Sequence, residues 1–134
     1  MTKDVDIVLD GTDNFESRFE INKVCVDYKK PLVSAAVIRF EGQVSVFKGY
    51  EKGQPCYQCL YTEQGDDNES CVQSGVLAPV AGLIGTIQAL QAIKVILSLG
   101  DELCGTLLLV DGLDLSFRKV KIGKDLKCPI CNSN

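Results

Sequence analysis

Histidine is absent from this chain, and its absence removes every catalytic triad and acid–base scheme that depends on imidazole. Positive charge is scarce as well. Fourteen Lys and Arg stand against 18 Asp and Glu, for a net charge of −4 and a pI near 4.8. A nucleic-acid-binding surface needs clustered Lys and Arg, so no nucleic acid is expected as a partner. Neither G-x-G-x-x-G nor G-x-x-x-x-G-K-[ST] occurs, so neither of these phosphate-cradling glycine loops is present. The opening residues, Met1-Thr-Lys-Asp-Val-Asp6, contain no apolar run of signal-peptide length. With no secretory signal, seven cysteines point to a reducing, cytoplasmic setting in which thiols bind metal rather than pair.

What is present fits one domain. The chain has 134 residues, enough to bury a sizeable core, and its 46% hydrophobic content is ordinary for a globular protein. No internal repeat or linker divides it, so residues 1–134 are expected to form a single domain.

Four of the cysteines stand in two Cys-x-x-Cys knuckles, Cys56-Tyr-Gln-Cys59 and Cys128-Pro-Ile-Cys131. Together they supply four thiolates, the complement of a closed tetrahedral structural zinc site. The 68 residues between Cys59 and Cys128 exceed the spacing of a local zinc ribbon. A shared ion would tie the end of the chain to its middle and close the intervening segment into one unit. Two redox dithiols, or a pair of disulfides, are the competing readings. A thioredoxin-like motif normally occurs once and opens a helix after a strand. Here the first knuckle follows Gly53-Gln-Pro55 and the second lies among the last residues, both in loop context. A zinc ion shared by Cys56, Cys59, Cys128 and Cys131 is therefore the favoured reading.

In chain order, Val5–Asp10 reads as a short buried strand, followed by a turn over 11–14. Phe15–Tyr28 reads as a helix with Ile21, Val24, Cys25 and Tyr28 on one face. Asp13 or Asn14 is its natural N-cap, and Lys29-Lys-Pro31 ends it. Pro31–Ala36 reads as the next strand, which makes a parallel βαβ unit. Gly42–Phe47 alternates like a half-exposed strand, and Glu63–Ser70 is an acidic, polar loop. The segment Leu77–Gly100 is long and apolar enough to invite a transmembrane reading. Against that, Gln88, Gln91, Lys94 and Ser98 form one polar stripe, while Gly82, Gly85, Ala89 and Ala92 form a small-residue stripe suited to close packing. A largely buried helix with one wet edge is the favoured reading, with no membrane partner. Strands follow over Gly105–Val110 and Leu115–Ile122, around a turn at Asp111-Gly112.

A second chemical candidate is the turn Asp10-Gly-Thr-Asp-Asn14 with Arg18. In an open α/β sheet, ligands bind beyond the carboxyl ends of the strands, where helix N-termini present free N–H groups. Helical side chains lean toward the N-terminus, so Arg18 can reach back to the same mouth. An anionic ligand would suit Arg18 and repel Asp13 unless a divalent cation lay between. On pattern alone, a capping role for Asp13 and Asn14 with Arg18 as a surface charge is the stronger reading.

The order of motifs adds what pattern cannot. Asp10-Gly-Thr-Asp-Asn14 with Arg18, Pro31-Leu-Val-Ser34, Gly42-Gln43, Pro55-Cys-Tyr-Gln-Cys59, Cys71 before Gly75-Val76, Pro79, Gly82, Gly85, Gln88-Ala89, Ala92-Ile-Lys94 and Cys128-Pro-Ile-Cys131 together resemble the ThiF/MoeB/HesA family, bacterial relatives of ubiquitin-activating enzymes. The resemblance runs from about Val5 to Cys131. It implies an α/β fold, the C-terminal half of a Rossmann-like ubiquitin-activating-enzyme fold, with a mixed sheet, packed helices and a four-cysteine zinc site. It implies adenylation, by Mg-ATP, of the C-terminal Gly-Gly carboxylate of a ubiquitin-like sulfur carrier, by a homodimer. By position, Asp13 resembles the family's Mg/ATP aspartate, with Asn14 and Arg18 beside it at the nucleotide. Cys71 resembles the cysteine that ThiF-type members link covalently to sulfur, and that MoeB-type members dispense with.

Family members run to roughly twice this length, and their first half carries the Gly-rich ATP loop that is missing here. The chain looks like the C-terminal half of such an enzyme. Adenylation by it alone is not expected, and self-association is expected to hide the surface that the other half would cover. Within the family, Ser34–Gln43 looks closer to MoeB, which acts on a MoaD-like carrier in molybdopterin synthesis. The alternatives are ThiF, which acts on a ThiS-like carrier in thiamine synthesis, and a zinc-stabilised interaction module without catalysis.

Overall fold

The computed structural model describes residues 5–11, 15–60, 78–100 and 103–131. Asp13, Asn14, Cys71 and the Glu63–Ser70 segment lie outside the described residues.

Strand β1 (Val8–Asp10) pairs in parallel with β2 (Leu32–Ile38), from Val8↔Leu32 to Asp10↔Ser34. Helix α1 (Phe15–Asp27) makes the crossover, giving the parallel βαβ unit that the spacing predicts. The helix ends in a Schellman motif. Lys29 turns left-handed (φ 56), its N–H donates to Val26 O at 3.2 Å, and the Lys30 N–H donates to Cys25 O at 2.8 Å. Pro31 follows and cannot continue the helix. The motif turns Tyr28 away from the buried stripe into solvent, whereas Cys25 is buried as expected.

Strands β3 (Glu41–Phe47), β4 (Thr106–Asp111) and β5 (Ser116–Lys121) then add in antiparallel fashion, giving one mixed sheet in the order β1-β2-β3-β4-β5. The expected half-exposed character of β3 is corrected: Val44 to Phe47 are all buried. Alternation fails there because both faces of this central strand are covered. One face carries Val44 and Val46, packed with Val33, Val110 and Ile84. The other packs Phe47 with Leu32, Cys25, Tyr57 and Ile122. Tyr57 stands edge-on to Phe19 and Phe47, with ring centroids 5.7 and 5.8 Å apart. It opens the short helix α2 (Tyr57–Leu60).

Helix α3 (Ala78–Leu97) lies on the first face, and the wet edge expected of its polar residues is corrected. Two of them, Gln88 and Gln91, point inward, while Ser98 is exposed. Gln88 Nε2 donates to Asp10 O (3.1 Å) and Val33 O (3.0 Å), and the buried Gln91 accepts the Leu103 N–H at 2.9 Å. Both glutamines satisfy backbone groups at the sheet, which explains polar side chains on the packed side. Val80, Ile84 and Ala92 pack inward beside them, while a second apolar face stays outside, with Leu90, Ile93, Ile96 and Leu97 each at least 50% exposed. Gly82, Gly85 and Ala89 are exposed as well; Ala92 alone of the small stripe is buried. By length and composition the helix could cross a bilayer, but only 22% of its apolar window is buried in the protein. A largely buried helix is therefore not what forms.

Candidate functional site

Proline and turn chemistry bring the two knuckles together. The first opens helix α2 directly after Pro55, with the Cys59 N–H closing a turn on Cys56 O at 3.0 Å. This corrects its expected loop setting. The second follows β5, where Asp125 organises a tight turn by accepting the N–H of Lys127 on Oδ1 (2.9 Å) and that of Cys128 on its carbonyl (3.0 Å). Lys124 ties the two segments, its Nζ donating to Gln54 O at 3.1 Å.

All four sulfurs lie within 4.8 Å of one another. Cys56 Sγ is 4.0 Å from Cys59 Sγ and 3.6 Å from Cys128 Sγ, and Cys59 Sγ is 3.4 Å from Cys131 Sγ. A disulfide needs about 2.05 Å, so these thiols are free. The edge of a tetrahedron with metal–sulfur bonds of about 2.3 Å is about 3.8 Å, and the separations bracket it. The four residues can hold one metal ion. Three of them are buried, among Val26 and Ile130, so the centre is closed and offers no open coordination position.

The crowded thiols divide their protons unevenly. Hydrogen bonding from Cys56 holds the Cys59 thiol down at about 5. The same bond, ahead of burial, pushes Cys56 up, and burial pushes Cys131 up to about 11. A backbone donor also reaches this cluster, the Asp125 N–H lying 3.4 Å from Cys59 Sγ. Sequence pattern gives no signal for a further neighbour, Asn22 of α1. This side chain is buried, and its Oδ1 accepts the Tyr57 N–H at 2.9 Å, one residue past Cys56.

The second candidate lies at the carboxyl end of β1. Of its residues, Arg18 and Asp10 are described. Arg18 is 7% exposed and so is not a surface charge. It reaches the strand ends: Nη2 donates to Ala35 O at 3.0 Å, Nη1 to Ser34 Oγ at 3.4 Å, and Nη1 stands 3.9 Å from Asp10 Oδ2. The guanidinium thus joins β1 and β2 under α1. It also borders a small cleft lined by Ser34, Gln43, Ser45, Tyr57 and Leu107. The two candidate sites are separate. One stands where α1 begins, the other beside its second half.

Cys104 is half-buried, its thiol 3.5 Å from Gln54 Oε1, and belongs to neither site. Burial, with the Asp10 carboxylate nearby, pushes the Cys25 thiol up to about 11.

Comparison with known proteins gives this geometry a family. A molybdopterin-synthase adenylyltransferase of Haemophilus influenzae is 48% identical over 122 residues, which are 91% of this chain and 50% of that protein. Its Escherichia coli namesake is 42% identical over 94% of this chain and 50% of its own length. An adenylyltransferase and sulfurtransferase MOCS3 of Drosophila persimilis is 43% identical over 96% of this chain and 29% of its own length. The chain thus spans about half the length of the bacterial relatives it matches. Among solved structures, E. coli MccB with ATP superimposes with a TM-score of 0.76 over 94% of this chain and 39% of that one. At 18% identity that likeness concerns the fold alone. A family model described as ThiF family matches residues 1–130, so the chain belongs to the ThiF family.

Proposed function

We propose that this chain forms part of an adenylyltransferase that activates the C-terminal carboxylate of a ubiquitin-like sulfur carrier, with a MoaD-like carrier preferred over a ThiS-like one. The observation that carries the reading is the 42–48% identity to two proteins named molybdopterin-synthase adenylyltransferase. A carrier carboxylate oxygen attacks the α-phosphorus of ATP, pyrophosphate leaves, and an acyl-adenylate forms. Such a step is mostly positioning and charge stabilisation. Asp13, with Asn14 next to it in sequence, would hold Mg²⁺, which would offset the charge of the phosphates, while Arg18 fixes the strand ends that shape the site.

In this reading the four cysteines bind Zn²⁺ as a structural ion, and Cys71 has no part in adenylation. Two copies associate in the cytoplasm. A second reading, a zinc-stabilised interaction module without catalysis, is favoured by one observation: the sequence holds neither glycine-rich phosphate loop. Pyrophosphate exchange separates the two. In a protein of the relatives' full length, Asp13→Asn is expected to cut carrier-dependent exchange by orders of magnitude while leaving the melting temperature unchanged. Near-normal exchange in that variant contradicts the role given to Asp13. Saturable, Mg-dependent ATP binding by the 134 residues alone excludes the module reading.

A further inference from the structure

Helix α1 carries one buried polar side chain that the fold leaves half used. Asn22 is 1% exposed. Its Oδ1 holds the backbone of the first knuckle through the Tyr57 N–H. Its Nδ2 is buried without a hydrogen bond of standard geometry. Leaving an amide donor buried and unpaired costs about 1–3 kcal/mol, and native folds rarely leave such a group without a partner.

The surroundings of Asn22 name the acceptor. One turn further along α1, Val26 packs directly with Cys56, Cys128 and Cys131. Cys56 is fully buried and adjoins Tyr57, whose backbone the Asn22 side chain already holds. A neutral thiol is a weak acceptor, whereas an ionised sulfur draws a donor in. Four thiolates around one divalent cation carry a net negative charge in a buried place, and N–H donors to sulfur offset it. Cys59 already has such a donor in the Asp125 N–H.

We infer that Asn22 is a positioning residue of the metal centre: in the metal-loaded protein its Nδ2–H donates to the Cys56 sulfur while its Oδ1 holds the knuckle backbone. The inference rests on the zinc reading of the four cysteines. It gives α1 two anchors on one face, since Arg18 precedes Asn22 by four residues. Arg18 fastens the helix to the strand ends, and Asn22 fastens it to the metal centre.

Asn22→Asp tests this, because it keeps the side-chain shape and an oxygen acceptor for Tyr57 but replaces the donor with a carboxylate oxygen facing sulfur. Zinc affinity, measured by competition with a chromophoric chelator, is expected to fall about 10–100-fold. In the cobalt-substituted protein the sulfur-to-cobalt charge-transfer band is expected to move to longer wavelength, which a merely structural defect would not cause. Affinity and band both unchanged would overturn the inference. The wild-type protein supplies a readout that needs no variant to fold. With NMR-active cadmium in the site, a through-bond correlation is expected between the metal and a side-chain amide proton of Asn22. Correlations to the cysteine β-protons without one to Asn22 would overturn it. A wild-type protein that takes up neither zinc nor cadmium overturns the zinc reading and this inference with it.

Discussion

Removing the metal is the perturbation whose size the structure sets best. Cys56 and Cys128 lie 72 residues apart in sequence, as do Cys59 and Cys131, so one ion closes a loop of that length. Treated as a single cross-link, a 72-residue loop restricts the unfolded chain by about 4 kcal/mol at 25 °C. An ion differs from a covalent link in that it binds the folded ligand set, so its binding free energy is folding free energy and the loop figure sets only the scale. Unfolding entropy of about 2.1 cal/mol/K per residue gives about 0.28 kcal/mol/K for 134 residues. Dividing one by the other, chelation is expected to lower the melting temperature by roughly 14 °C. The assay is a pair of melts under reductant, with and without chelator, on samples whose zinc content is read by elemental analysis. Wild-type protein should carry one zinc per chain, and Cys56→Ser should melt like the stripped protein. A melting temperature that does not move once the zinc is gone would refute the cross-link reasoning. Less than stoichiometric zinc with four freely alkylated thiols would refute the centre itself.

Three further outcomes follow from the packing. At Gly42 an added Cβ runs into the Ile84 side chain, itself buried between α3 and the sheet. Gly42→Val is expected to cost about 1–3 kcal/mol in urea unfolding, and a neutral result would contradict the packing given for α3. The Cys25 thiol, raised from 9.0 to about 11, favours its neutral form in the fold. Its contribution is intact below pH 9 and lost as pH rises through 11, so the stability advantage of wild type over Cys25→Ala is expected to shrink by about 2–3 kcal/mol across that window. An advantage independent of pH there would refute it. The exposed Leu90 and Ile93 of α3 are expected to drive self-association at micromolar concentration, with Leu90→Glu/Ile93→Glu shifting the chain to monomer in sedimentation. A wild-type chain already monomeric would contradict this.

The two Cys-x-x-Cys knuckles were legible because metal ligation imposes a fixed local spacing. Which segments meet is then a matter of pairing four equivalent ligands. The parallel βαβ unit was legible because strand, helix and strand follow at the lengths that a crossover demands. The faces of α3 were not. Gln88 and Gln91 look like a wet edge in sequence, yet they serve carbonyls of β1 and β2 and the Leu103 N–H, while Leu90, Ile93, Ile96 and Leu97 point outward. Periodicity reports which residues share a face. It does not say whether the neighbour of that face lies within the chain. The burial of β3 escaped for a related reason, since alternation implies one wet side and here α1, α2 and Tyr57 cover it. Asn22 had no sequence signal at all. A polar residue in mid-helix is ordinarily solvated, and only the approach of Tyr57, next in sequence to Cys56, gives this one a role. Arg18 reads the other way, because family resemblance singled it out and the fold then placed it in a buried clasp rather than at the surface.

Carrier activation is read by carrier-dependent exchange of pyrophosphate into ATP. The protein at the full length of its relatives is incubated with Mg-ATP, labelled pyrophosphate and either a MoaD-like or a ThiS-like carrier ending in Gly-Gly. Exchange is expected to require a carrier, to be faster with the MoaD-like one, and to be lost when the carrier's terminal glycine is removed. No exchange above background with either carrier would contradict carrier activation.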